Sequence, residues 1–379
     1  MSANALPPVP FIDLGEQYAA IRDEVRAAVD AVFESQMFVL GRTVEDFERG
    51  LAGWMGLEGE VIGVSSGTDA LLCALMAVGV GPGDRVLTTP FSFFATAGVI
   101  ARLGARPVFV DIDPRTYAID AARLADHDPR DYKALVAVHL YGRTADIAAM
   151  RAWADPAGLP VIEDAAQAIG ATDGHGRPAG SLGTIGCFSF FPTKNLGAAG
   201  DAGCMTTTDP AMAADLRRLR VHGATRQYES EVIGGNFRID ALQAAVLSAK
   251  LPHLKDWTAA RLENARAYDA ALAAAGLREV LSLPEVSDDG TFIAHQYVIR
   301  SSRREALIEH LKAQGIGSAI YYPLPFHLMG CFANLGHAAG DFPVAEAAAR
   351  EVLALPIFPE LGAERRGRVI EALLAFDHA

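Results

Sequence analysis

Between about residues 60 and 210, short unbroken apolar runs alternate with segments whose apolar residues recur at helical spacing. The runs predict strands at 61–65, 85–89, 107–111, 134–140, 160–164, 186–191 and 203–207, and the segments 69–78 and 95–103 predict helices between them. Val, Ile and Phe without polar alternation suit strands covered on both faces. The pattern therefore predicts an α/β fold with a mostly parallel seven-stranded sheet between helices. After Gln243 the pattern changes: 241–250 and an Ala-rich amphipathic stretch at 257–275 predict helices. A strand at 295–300, a helix at 304–314 and a strand at 318–322 follow, ending in the turn Pro323-Leu324-Pro325. This predicts a large α/β domain over 15–250 and a smaller C-terminal α+β domain over 251–379, with 1–14 a candidate addition to the second. No internal repeat or low-complexity linker interrupts the chain.

Ligands of such sheets bind at the carboxyl ends of the strands, and there the sequence places an acid and an amine. Val161-Ile162-Glu163-Asp164 is an apolar run that stops at a carboxylate, and Lys194 follows thirty residues later in a Gly-containing loop after a second run. An amine able to form a Schiff base and an anion able to keep a pyridine nitrogen protonated are what pyridoxal phosphate requires of a protein. A helix N-cap at the start of a short helix over 165–169 is the structural alternative for Asp164. Gln167, one turn along that helix, is placed to reach a ring hydroxyl.

Ser65-Ser66-Gly67-Thr68 follows a strand and opens a helix, where free N–H groups can hold a phosphate. A plain N-cap by Ser66 or Thr68 explains it equally well. Ser189 lies on the strand leading to Lys194, where its hydroxyl can join the same anion site. Phe91, Phe93 and Phe94 cluster after the second strand, and one of them can lie flat on a planar cofactor. Gly79-Val80-Gly81-Pro82-Gly83 precedes a strand instead of following one, so it predicts a turn and not a dinucleotide loop.

Composition narrows the class without naming it. The 379 residues are 51% hydrophobic and 21% charged, enough for an ample core. A net charge of −13 argues against nucleic acid and anionic membranes as partners, while leaving room for one cationic pocket. Met1 to Pro10 carries no basic start or apolar core, and no apolar stretch is long enough to span a bilayer, which predicts a cytoplasmic protein. Cys73, Cys187, Cys204 and Cys331 are widely spaced, which predicts buried inert thiols and no metal site.

Five ordered motifs then converge. Ser66-Gly67-Thr68-Asp69-Ala70-Leu71, Pro90 to Thr96, Glu163-Asp164-Ala165-Ala166-Gln167, Ser189 to Gly197 and Gly234-Gly235-Asn236-Phe237-Arg238-Ile239-Asp240 resemble the DegT/DnrJ/StrS sugar aminotransferases. The likeness runs from Phe11 to Ile357, nearly the whole chain. It implies the fold-type I architecture of pyridoxal 5′-phosphate enzymes. It also implies roles: Lys194 as the Schiff-base lysine, Asp164 as the partner of the pyridine nitrogen, Gln167 at the ring hydroxyl and Phe93 stacked on the ring. Gly67, Thr68 and Ser189 match the phosphate site, and Asn236 matches a residue that reaches the cofactor of the other subunit, so a homodimer with shared active sites is implied.

The resemblance further implies a nucleotide-diphosphate keto sugar as substrate, with glutamate as amino donor and 2-oxoglutarate as its product. Arg238, Tyr321, Tyr322 and His327 match positions that line the sugar pocket. The stretch from His222 to Asn236 leans toward 3-oxo over 4-keto sugars, as in surface polysaccharide or glycoside biosynthesis. Relatives acting on uronic-acid nucleotides show His-Tyr-Pro where this chain has Tyr321-Tyr322-Pro323, which weakens that substrate. Sugar dehydratases of the family carry histidine in place of Lys194. An aminated aromatic acid as product, a non-catalytic regulatory or binding protein on the same fold, and a nicotinamide dehydrogenase are the other readings; the last lacks its Gly-rich loop after a first strand.

Overall fold

The computed structural model describes residues 7–226 and 228–376. All seven strands expected before residue 210 form. They are β1 (Glu60–Val64), β2 (Arg85–Thr88), β3 (Arg106–Phe109), β4 (Ala134–Val138), β5 (Val161–Asp164), β6 (Ile185–Ser189) and β7 (Gly203–Thr207). They make one sheet in the order β1-β7-β6-β5-β4-β2-β3, in which only β7 runs against the others.

The unbroken apolar runs are explained by the pleat, which sends successive side chains to opposite faces. Ile62, Val86, Val136, Ile162, Cys187 and Met205 bury one face against the helices Gly67–Ala77, Ala95–Arg102 and Pro210–Leu219. Their neighbours Val61, Phe188 and Cys204 bury the other face against Arg42–Met55 and Ala241–Lys250, while Leu87, Leu135 and Val161 meet Ile147–Ala154. Full coverage at roughly 25 cal/mol per Å² of apolar area is the main term holding this layer stack together.

A short hairpin of β8 (Ala224–Arg226) and β9 (Glu229–Ser230) follows the sheet. The helix Leu254–Ala274 then buries Leu254 in the first core and Ala265, Tyr268 and Leu272 in a separate cluster. That second cluster packs β10 (Tyr297–Arg300) and β11 (Val352–Leu355), which are antiparallel, with the helices Arg304–Ala313 and Gly362–Ala375. Val9 pairs with Ile316 beside it, through N–H to Gly315 O at 2.9 Å. Residues 1–6 of the N-terminal segment considered above lie outside the described residues.

Four sequence expectations need correcting. The stretch 318–322 is not a strand: it touches β11 through the single bridge Ala319–Ala354, and Pro323 and Pro325 beyond it cannot donate to a ladder. No helix starts at Ala165; residues 165–170 form turns, so Asp164 caps nothing and Gln167 is not carried on a helix. The helices Gly15–Ser35 and Arg42–Met55 and the strand β11 were not anticipated, although Val44, Phe47, Leu51 and Met55 show helical spacing. Cys331 is exposed, whereas Cys73, Cys187 and Cys204 are buried. No helix among the described residues is long and apolar enough to cross a membrane.

Candidate active site

The carboxyl ends of β1, β6, β5, β4 and β2 bring the expected chemistry to one edge. Glu163 and Asp164 close β5 and point to opposite faces, as adjacent strand residues must. The Glu163 carboxylate is fully buried and accepts from Gly180, Leu182 and Gly183 N–H at 2.7, 2.8 and 2.6 Å and from His139 Nε2 at 2.8 Å. Since Ala145 N–H donates to His139 Nδ1 at 2.9 Å, the imidazole is neutral and its proton sits on Nε2. This knot anchors the strand end that carries Asp164.

Asp164 accepts the Thr96 hydroxyl at 2.7 Å and the Ala166 N–H at 3.3 Å. Burial pushes its carboxyl above the usual range, against those two hydrogen bonds and the charge of Lys194. Lys194, half-buried, is held down to about 8 by desolvation, with Asp164 opposing. The two groups thus act on one another in one space without a direct ion pair. Thr96, which fixes the carboxylate, carried no role in the sequence reading; its place in Pro90 to Thr96 was the available signal.

Opposite them is the anion cradle. Ser66 Oγ caps the helix Gly67–Ala77 by accepting from Asp69 N–H at 3.0 Å, and Ser66 O accepts from Ala70 N–H. The N–H groups of Gly67 and Thr68 keep no partner among the described residues. A Cβ on Gly67 would come within 2.6 Å of Ser189 Cβ, so only glycine lets the Ser189 hydroxyl close on the helix start. β7 lies between β1 and β6, and Gly203 lets the Ser66 turn fold over it: a Cβ there would meet Ser66 C at 2.6 Å. The N-cap is therefore present, and the N–H groups and the Ser189 hydroxyl beside it could hold an anion.

Gln167 is buried and its side-chain oxygen accepts from Tyr141 N–H at 2.6 Å, while Nε2 donates to the Tyr322 hydroxyl at 3.2 Å. Tyr141 holds a positive φ of 59° there, and its hydroxyl donates to Tyr321 O. Of the three phenylalanines, Phe91 is fully buried, Phe94 packs on Phe332 at 5.9 Å, and Phe93 is 57% exposed beside Tyr322. Arg238 bridges the end of β1 at Val64, next to the cradle, and Asn236 is exposed two residues before it.

His327 does not join Tyr321 and Tyr322 at the open side. It is 2% exposed, packed on Phe342 at 4.7 Å and bonded through Nε2 to Glu346 at 3.0 Å. Phe326 and Phe332, which flank it in the core, pull this turn inward. A cavity of about 800 Å³ lies elsewhere, between Asp113 and Arg177, and contains none of these groups. No cluster of metal-ligating side chains occurs among the described residues.

An amine, a buried carboxylate awaiting a cation, a donor amide and a phosphate cradle fit pyridoxal 5′-phosphate. Residues 19–374 match the DegT/DnrJ/EryC1/StrS aminotransferase family. The chain is 47% identical to a "pleiotropic regulatory protein" of Geobacillus stearothermophilus, covering 97% of this chain and 98% of that one. It is 43% identical to the UDP-N-acetyl-3-dehydro-alpha-D-glucosamine 3-aminotransferase of Acidithiobacillus ferrooxidans, over 95% and 96%. Streptomyces venezuelae DesV, solved with a ketimine intermediate, superposes with a TM-score of 0.93 at 39% identity, over 97% and 98%. The chain therefore belongs to the DegT/DnrJ/EryC1/StrS aminotransferases, a fold-type I family that uses pyridoxal 5′-phosphate.

Proposed function

We propose that this protein transfers an amino group from glutamate to the 3-oxo position of a nucleotide-diphosphate sugar, as a cytoplasmic homodimer that divides into domains near residue 250. The observation that supports it is that Asp164 ends β5 and Lys194 follows the end of the neighbouring β6, at the same sheet edge as the close approach of Gly67 and Ser189. Similarity to the Acidithiobacillus enzyme supports the 3-position.

Bound there, the cofactor supplies a carbonyl carbon for the amine and an electron sink for the bond broken at the substrate. Gly67 N–H, Thr68 N–H and Ser189 O–H hold its phosphate, and Phe93 covers the ring. Asp164, anionic once a cation faces it, keeps the ring nitrogen protonated, and Thr96 orients that carboxylate. Gln167 donates to the ring oxygen. Lys194 would hold the cofactor through its amine, and as a free amine, which burial keeps below the ordinary lysine value, it would move a proton to and from the substrate carbon. Tyr321, Tyr322 and Arg238 face the sugar nucleotide, and Asn236 reaches the phosphate of the second subunit. Desolvated His327 is left out of this wall.

The name of the Geobacillus relative favours a second reading, a regulator that keeps the fold without catalysis. Intact Lys194, Asp164 and Ser189 weigh against it. The test is mass spectrometry of 2-oxoglutarate with UDP- and dTDP-linked 3-amino and 4-amino sugars. Glutamate formed with 3-amino sugars alone supports the proposal. Turnover of 4-amino sugars alone overturns the 3-oxo assignment, and no turnover with any sugar favours the regulator.

A further inference from the structure

The carboxylate that ends β5 is held by one hydroxyl, and that hydroxyl is held by another. Thr96 Oγ1 lies 2.7 Å from Asp164 Oδ2 and 3.1 Å from Ser92 Oγ, and all three side chains are buried. Ser92 stands two residues before the cap position of the helix Ala95–Arg102, and Thr96 is in that helix's first turn. A serine at a helix start ordinarily caps a backbone N–H. Here the cap position is Phe94, no side chain caps the helix, and the Thr96 N–H goes to Phe93 O at 3.1 Å. Among the described residues the Ser92 hydroxyl has no hydrogen bond other than the one with Thr96.

Counting protons gives this pair a direction. A threonine hydroxyl carries one proton and an ionised carboxylate only accepts, so the Thr96 proton belongs to the shorter, charge-assisted bond with Asp164. Thr96 Oγ1 can then only accept from Ser92, and the Ser92 proton points at Thr96. In such a chain each bond polarises the next and strengthens it, and burial keeps water from competing. The other neighbours of the carboxylate leave this direction unopposed. Lys194 acts on it as a charge, while Cys187, its partner across β5 and β6, and Tyr322 are raised by burial and stay uncharged.

We propose that Ser92 is a positioning residue for Asp164: by donating to Thr96 Oγ1 it commits the Thr96 proton to the carboxylate and strengthens the bond that orients it. Phe93, which follows Ser92 directly, is the side chain proposed to cover the ring. One short segment would therefore supply the cover of the ring and set the anion facing its nitrogen. The inference rests on Asp164 being the partner of that nitrogen in the proposed function.

The test is a double-mutant cycle on the full-length, cofactor-free chain, with the Asp164 carboxyl followed by ¹³C NMR across pH and assigned through Asp164→Asn. Ser92→Ala deletes the first donor, so Thr96 donates less strongly and the Asp164 midpoint rises by about 0.3 to 1 pH unit. Thr96→Val raises it further, and adding Ser92→Ala to Thr96→Val changes nothing more. A midpoint unmoved or lowered in Ser92→Ala, or the same rise in the Thr96→Val background, overturns the proposal. A serine that only packs would lower the thermal midpoint and leave the carboxyl titration in place.

Should Ser92→Ala fail to fold, neutron diffraction from crystals of the wild-type chain, held above the Asp164 midpoint, decides. A Ser92 deuteron on the line to Thr96 and a Thr96 deuteron on the line to Asp164 support the relay, and either one directed elsewhere overturns it. Neither readout requires cofactor or turnover, so a wrong function for the site would show separately, as a chain whose Asp164 titrates as expected yet which transfers no amine.

Discussion

The side-chain oxygen of Gln167 accepts the Tyr141 amide N–H at 2.6 Å, which leaves Nε2 as the end of the carboxamide that faces the cleft. Gln167 is thereby fixed as a donor, the polarity its proposed contact with a ring oxygen needs, and it donates to the Tyr322 hydroxyl at 3.2 Å.

Two substitutions separate these functions of Gln167. Gln167→Leu leaves the buried Tyr141 N–H without an acceptor and should cost about 1–3 kcal/mol, read by denaturant unfolding. Gln167→Glu keeps that acceptor and removes the donor. Its stability should stay close to wild type while the visible spectrum of the bound cofactor shifts and turnover falls.

Asp164→Asn should leave a well-folded but inactive protein. In the cofactor-free chain the Asp164 carboxyl sits above its ordinary value, so the folded state binds the proton more tightly than the unfolded one. Its contribution to stability therefore declines as pH rises through that folded value. Removing the charge should leave the melting temperature at pH 7 unchanged or raised. Turnover should fall by about a hundredfold or more, the scale of losing one preorganised charge at a reacting centre.

Lys194 titrates the other way. With a value of about 8 folded against 10.5 free, it binds fewer protons in the folded chain between those two limits. Its contribution to stability rises with pH across that window, and the deficit is complete below about 8. The labelling midpoint of Lys194 in the cofactor-free protein should lie near 8 and move lower in Asp164→Asn, where the opposing anion is gone.

The strands and the cradle were legible because sheet burial writes itself as unbroken apolar runs and because Gly67 and Gly203 answer local steric demands. The turns after Asp164 were not: Ala165 to Ile169 reads as a helix until Gly170, at φ 89°, and the Glu163 network fold it back. Thr96 and Tyr141 escaped for a different reason. Each acts through a partner 68 or 26 positions away, and spacing along the chain carries no sign of such pairings. His327 shows the reverse error, in which a matched position lost its expected exposure to the aromatic packing around it.

The proposal that two subunits share each site can be tested by mixing. Phe33, Met37, Val39, Phe191 and Ile233 are exposed apolar side chains, in keeping with a face that a second copy covers. Lys194→Ala and Asn236→Ala chains, each impaired alone, should regain up to about a quarter of wild-type turnover when unfolded and refolded together, because random pairing builds one intact site in each hybrid dimer. Absence of any gain over the separate variants would show that Asn236 serves its own subunit's site or none.

The amine at Lys194 is the centre of the account, and reductive trapping reads it directly. The protein is loaded with pyridoxal 5′-phosphate, reduced with borohydride, digested and mapped by mass spectrometry. The phosphopyridoxyl mass should fall on the peptide containing Lys194 and disappear when glutamate is added before reduction. The same mass on another lysine, or none after loading, would contradict the account.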